Sequence, residues 1–151
     1  MTHFDPPDPQ YLEKVRSSFQ RQMAMQTIGA ELLSVSPGEV AIKIPFREDL
    51  TQQHGFVHAG IISMIGDNAC GYAAFSLMPA DTAVLTVEFK VNLLSPARGD
   101  FFIAKAKVVR AGKTLIVARS EVFAELEAEQ KLIAAIQATI MCIHKPNGLE
   151  N

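Results

Sequence analysis

The sequence has no tryptophan, only two cysteines in 151 residues, and almost no net charge, with 14 Lys and Arg against 16 Asp and Glu. Each shortage excludes something. Cys70 and Cys142 are too few and too far apart for a disulfide framework or a cysteine-rich zinc site. They read as small core fillers in a reduced, cytoplasmic protein, with no metal and no cofactor implied. The charge balance leaves no general electrostatic footprint for nucleic acid. No apolar run reaches the ~18 residues of a membrane span, because the best candidate is cut by Asp67 and Asn68. The opening residues are polar, acidic and proline-rich, unlike a secretory signal. Residues 1–9 are therefore expected to be a flexible leader, and residues 10–151 one domain able to bury its own core.

What is present is periodicity. Tyr11, Val15, Phe19 and Met23 recur every fourth residue, which predicts an amphipathic helix ending near Gly29. Residues 30–35 and 39–46 flank the turn Ser36-Pro37-Gly38 and predict a hairpin. Residues 58–78 are rich in Ala, Ile and Met, free of proline, and apolar on most sides, which predicts a long buried helix stopped by Pro79. Residues 82–94, 100–110, 114–124 and 131–144 alternate with period two and predict four strands in a meander. An acidic connection, 125–130, separates the last two. The fold class is α+β: an antiparallel sheet of about six strands curled around the 58–78 helix, plus an N-terminal helix. This arrangement is the hotdog fold.

Two features of the long helix point to chemistry. Its opening residues, Ala59 and Gly60, are small, so a ligand oxygen can approach the unpaired N–H groups of the first turn, where the helix dipole is positive. Asp67 lies in the middle of the helix, with Gly60, Ser63, Gly71 and Ala74 around it at helical spacing. A buried carboxylate needs a partner or a function, and burial raises its pKa toward the range useful to a base. Ala59 and Asp67 are about 12 Å apart along the helix at 1.5 Å per residue, too far to serve one reacting atom. A two-fold dimer with antiparallel helices brings the helix start of one chain to the Asp67 of the other.

The stretch His58-Ala59-Gly60 followed by Asp67 resembles the signature of hotdog acyl-CoA thioesterases of the PaaI and 4-hydroxybenzoyl-CoA thioesterase group. The likeness continues through 86–92, Leu93-Leu94-Ser95-Pro96-Ala97 and the hairpin Arg110-Ala111-Gly112-Lys113-Thr114. The resemblance implies hydrolysis of an acyl-CoA thioester to a free acid and coenzyme A. It gives Ala59 and Gly60 the oxyanion site, and Asp67 the role of base or nucleophile. Gln52 would hold the carbonyl or the water, and Thr86 would orient the water. Coenzyme A would lie along Leu94, Ser95, Pro96, Ala97 and Arg98, and against Arg110, Gly112, Lys113 and Thr114. It implies a homodimer and, since relatives often pair their dimers, a homotetramer. His58 reads as a residue that shapes the helix entry.

The chain departs from the family pattern in two places. Ala59 replaces the first glycine of the pair, and Gly71 stands where some relatives carry a threonine. Strict alternation also turns Thr86 to the side of Glu88 and Lys90. His54 reads as solvated, Ser63 as back-bonded to a carbonyl, and Lys105 and Lys107 as a wet strand face. Two other functions remain open from the residues alone: a hotdog hydratase or dehydratase, which needs a His paired with the acid, and a non-catalytic acyl-CoA-binding module, which has no need of Asp67.

Overall fold

The N-terminal apolar stripe holds only as far as Phe19. In the computed structural model, which describes residues 4–144, α1 spans Tyr11–Arg21 and α2 spans Met23–Thr27. Gln22 between them has φ −80° and ψ 96°, closing α1 and opening α2. The four-residue repeat expects Met23 inside, but it is 68% exposed, and Met25 and Ile28 are buried in its place. The break re-phases the helix so that a new set of apolar residues meets the core.

Of the expected boundaries, residues 1–3 of the leader and 145–151 of the domain lie outside the described residues. Part of the remaining leader is packed, while Asp5, Pro7 and Pro9 are exposed. Phe4 lies against the core, and the buried Asp8 accepts the Gln10 N–H at 2.9 Å and sits 3.1 Å from Lys14 Nζ.

The remaining elements are β1 (Glu31–Ser36), β2 (Glu39–Pro45), α3 (Ala59–Phe75), β3 (Thr82–Leu93), β4 (Phe101–Ala111), β5 (Leu115–Leu126) and β6 (Glu129–His144). They form one six-stranded sheet in the order β1-β2-β4-β5-β6-β3, every pair antiparallel. The sheet wraps α3, which packs against β2, β3, β4, β5 and β6, and this is the hotdog arrangement. Ile62, Ile65, Ala69 and Phe75 of α3 meet Ile42, Phe102, Ala118 and Ile140 of the sheet, all essentially inaccessible to solvent. Each such large aliphatic or aromatic side chain contributes about 1.5–3 kcal/mol by leaving water. At Gly66 the helix comes so close to the sheet that a Cβ would collide with Ile136.

Two expectations need correcting. The four long strands are not a meander in chain order: β4, β5 and β6 are, but β3 pairs with β6 at the far edge. The chain crosses the sheet through α3 before β3 begins, so β2 and β3 emerge on opposite sides of the covering helix. The 125–130 connection is also absent as a loop. Pairing continues to Leu126 opposite Glu129, leaving a two-residue turn, Glu127 and Ala128, both with positive φ (50° and 67°). That is the backbone sense of the tight hairpin turns that match strand twist.

Two register shifts matter for the site. Thr86 is opposite Ile140 but Glu88 is opposite Thr139, so Val87 is an extra residue in β3. Val122 is opposite Ala134 but Phe123 is opposite Leu132, so Ile133 is an extra residue in β6. A bulge reverses the inward and outward parity of the strand beyond it and re-aims the side chains beside it.

Candidate active site

Where α3 begins, the chain builds a cavity. His58 is the N-cap: its Nδ1 accepts the Gly60 N–H at 2.9 Å, and its carbonyl accepts the Ile61 N–H at 2.9 Å. A Cβ on Gly60 would stand 3.0 Å from that Nδ1, so the small residue is part of the cap. The Gly60 N–H is therefore already spent, whereas the Ala59 N–H has no hydrogen-bond partner among the described residues. The expected pair of oxyanion donors is thus one free donor at the positive end of a 17-residue helix.

The opposite wall comes from the bulge at Ile133. Its carbonyl accepts both the Leu94 N–H at 2.8 Å and the Ser95 N–H at 3.3 Å, and the Ala97 carbonyl accepts the Val57 N–H at 3.1 Å. These bonds hold the 94–97 segment against the helix start. The space between them is a cavity of about 550 Å³ lined by Gln52, Phe56, Ala59, Leu94, Pro96 and Ile133, among others. The Gln52 side-chain oxygen is engaged by the His54 N–H, which leaves its amide N–H groups as the donors it can offer. Arg98 is exposed beside this cavity and lines a neighbouring hollow with His54, Gly55 and Phe56.

Asp67 belongs to a different cavity, about 100 Å³, lined by Gln22, Asn68, Gly71, Tyr72, Val84 and Thr86 as well. Thr86 Oγ1 donates to Asp67 Oδ1 at 2.9 Å. The bulge at Val87 makes this possible: it places Thr86, like its neighbour Ile140, on the helix side and leaves Glu88 on the outer face. The expectation that Thr86 shares a face with Glu88 and Lys90 fails for that reason. Burial pushes the Asp67 carboxyl above its ordinary value, and the Thr86 hydrogen bond pulls it part of the way back. Next to Asp67, nothing stands within 4 Å of where a Gly71 Cβ would be, while Ala74 is fully buried and ends the open strip.

The residues expected to meet coenzyme A are divided in the same way. Leu94, Ser95, Pro96 and Ala97 line the larger cavity. Arg110, Gly112, Lys113 and Thr114 are exposed at the other end of the sheet, where Leu115 is opposite Met141 and Thr114 accepts the Cys142 N–H. Leu93 is opposite Ala134, so about 23 Å of β6, at ~3.3 Å per residue, separates the two groups. Gly112 is required in its turn, since a Cβ there would collide with the Leu115 carbonyl.

Other residues have the plain roles expected of them. Ser63 Oγ donates to the Ala59 carbonyl at 2.8 Å. Cys70 is buried, its thiol pushed up to about 12 by desolvation and by the nearby Asp67 charge, so it is no nucleophile at neutral pH. Among the described residues no group of three His, Cys, Asp or Glu could hold a metal ion, and no helix is long and apolar enough to cross a membrane. One member of the Asp67 cavity was not visible in the sequence. Gln22 lines it from the break in the N-terminal helix, and no turn residue marks that break.

The sheet wrapped around a central helix defines a class of protein, and comparison with known chains agrees. Residues 54–129 match the thioesterase superfamily. A thioesterase family protein of Silicibacter pomeroyi is 51% identical, with a TM-score of 0.88 over 89% of this chain and 99% of that one. A Halobacterium salinarum protein, named only provisionally as an esterase, is 38% identical over 127 residues, 81% of this chain and 82% of its own. Human acyl-coenzyme A thioesterase 13 is 31% identical over 104 residues, 68% of this chain and 72% of its own. The chain belongs to the hotdog thioesterase superfamily.

Proposed function

We propose that the chain is an acyl-CoA thioesterase whose two active sites are each shared between the protomers of a homodimer. One observation carries this reading: in a single chain Ala59, with its free N–H, and Asp67 line separate cavities. The dimer has a natural seam. β3 is an edge strand whose outer side has no neighbour among the described residues, and Leu85, Val87, Phe89 and Leu93 along it are each at least 43% exposed. An apolar free edge of this kind is a template for pairing with a second copy.

In the joined site the thioester carbonyl rests on the Ala59 N–H, with Gln52 beside it. Asp67 of the second copy takes a proton from a water as the water oxygen bonds to the carbonyl carbon. The oxyanion is held by the helix start, and on collapse the C–S bond breaks. The coenzyme A thiolate leaves with the proton that Asp67 carried. Leu94–Arg98 of one protomer and the 110–114 hairpin of the other would flank the coenzyme, with Arg98, Arg110 and Lys113 available to its phosphates. A hydratase needs a proton-transferring His; His58 is committed through Nδ1 to the Gly60 N–H and His54 is exposed on a loop. Those facts favour hydrolysis.

Mixing two dead variants tests the shared site. Asp67→Asn and Ala59→Pro, each inactive alone, should regain about a quarter of wild-type activity after subunit exchange, because half the dimers are mixed and each mixed dimer has one intact site. Free-thiol release from phenylacetyl-, hexanoyl- and palmitoyl-CoA is the readout, with enoyl-CoA hydration assayed alongside. No recovery in a preparation shown to contain mixed dimers would sink the proposal.

A further inference from the structure

We propose that Gln22 is a positioning residue for the attacking water, its side-chain oxygen accepting one O–H of that water while Asp67 accepts the other. This rests on the reading above, with Asp67 as the base. Gln22 Oε1 is buried and has no hydrogen-bond partner among the described residues. Folded proteins rarely leave a buried acceptor dry, and where no protein donor is at hand a water fills the role. The space for one is present: the cavity shared by Gln22, Asp67 and Thr86 measures about 100 Å³, room for about three waters at ~30 Å³ each. Gly71 helps to keep that room open, having no Cβ and no neighbour where one would be.

None of the donors around this cavity reaches Gln22 Oε1. The Thr86 hydroxyl is committed to Asp67 Oδ1, Asn68 Nδ2 gives one hydrogen to the Met64 carbonyl at 3.2 Å, and the Tyr72 hydroxyl and Ser18 Oγ share one hydrogen bond at 3.4 Å. With no protein donor in reach among the described residues, a water entering the cavity is the donor that fits Gln22 Oε1. Water carries two O–H groups, and a general base takes only one. Held by Asp67 alone, a water can rotate about that single bond. A second acceptor stops the rotation and aims a lone pair at the carbonyl carbon. In the step itself the water oxygen bonds to carbon, its proton goes to Asp67, and the C–S bond breaks to release the thiolate, which takes that proton. Gln22 gains and loses nothing; it only fixes direction. The interruption between α1 and α2 thereby gains a purpose, since Gln22, the residue at the break, lines the cavity that holds the acid.

Methanol distinguishes this role from a structural one. It has one O–H for Asp67 and a methyl group where the second proton of water would meet Gln22. Wild type, Gln22→Met, Gln22→Ala and Asp67→Asn would be assayed in dilute methanol, using whichever of phenylacetyl-, hexanoyl- or palmitoyl-CoA the wild type cleaves, with free acid and methyl ester both quantified. Both Gln22 variants should lose about tenfold in kcat for hydrolysis with KM within about twofold, while the ester-to-acid ratio rises severalfold. That ratio comes from the same working sites, so a reduced folded fraction leaves it unmoved. An unchanged ratio in both variants, whatever happens to kcat or thermal stability, overturns the proposal. If the wild type releases no thiol, or Asp67→Asn matches it, the thioesterase reading itself is what fails.

Discussion

Thr86 Oγ1 reaches Asp67 Oδ1 at 2.9 Å from a strand position that unbroken alternation would turn outward. The extra residue Val87 shifts the parity, so one inserted amino acid decides whether the acid has a hydroxyl partner. The bond also sets the chemistry. Burial raises the Asp67 pKa and Thr86 opposes the rise, so the carboxyl is balanced between two local effects.

Removing the hydroxyl tips that balance. Thr86→Val should move the acid limb of kcat/KM to higher pH, because the only resolved influence lowering the Asp67 pKa is lost. The loss of kcat/KM should be about tenfold below the new limb, and Thr86→Ser should restore the wild-type profile. A pH–rate series on the three proteins checks it; a Thr86→Val limb that stays in place or moves to lower pH contradicts the assignment.

Asp67→Asn should lower kcat by ~10²–10⁴-fold with little change in KM. It should also stabilise the fold at neutral pH. A carboxyl raised in the folded state binds its proton more tightly there than in the unfolded chain, so its contribution is present below the ordinary value of 3.8 and is lost as the pH rises through the raised folded value. Melting temperatures of wild type and variant should therefore converge in acid and separate near pH 7, with the variant higher.

Ala59→Pro isolates the oxyanion donor. Proline is accommodated at the first position of a helix, and His58 before it already has the extended backbone that a following proline demands (φ −59°, ψ 137°). Stability should change by less than about 1 kcal/mol, while kcat falls ~10²–10³-fold, the usual loss of one such donor. Calorimetry beside steady-state kinetics tests both halves; a variant with normal turnover would remove the Ala59 N–H from the mechanism.

The β5–β6 turn should be improvable. Glu127 and Ala128 both hold positive φ, which is costly for residues with a Cβ. Replacing them with Asn and Gly should raise stability by about 1 kcal/mol, roughly 2–4 °C in Tm for a chain of this size, with activity unchanged.

The sequence reveals elements whose cause is local and hides those whose cause is pairing. The 58–78 helix, the hairpin at Pro37-Gly38 and the long strands follow from apolar period and breakers, so they are legible. Asp67 and the small residues at the helix entry are legible too, because a carboxylate in an apolar helix is conspicuous. The bulges at Val87 and Ile133 exist only relative to the neighbouring strand, and so does the place of β3 at the sheet edge. Glu127-Ala128 carries no turn signal. The break at Gln22 separates two helical pieces that bury different apolar sets, Val15 and Phe19 on one and Met25 on the other, and a stripe drawn straight through Met23 cannot register it.

Gly66 sits directly before Asp67, and a Cβ there would overlap the tip of Ile136 and touch Val122. The aim of the acid is therefore calibrated from below, by how deep two aliphatic side chains allow the helix to settle. A methyl group added at position 66 must either turn the Ile136 tip aside or lift the carboxyl like a shim under a lens mount. Evolutionary drift in this part of the core is thus also drift in catalytic alignment, even where no polar atom changes.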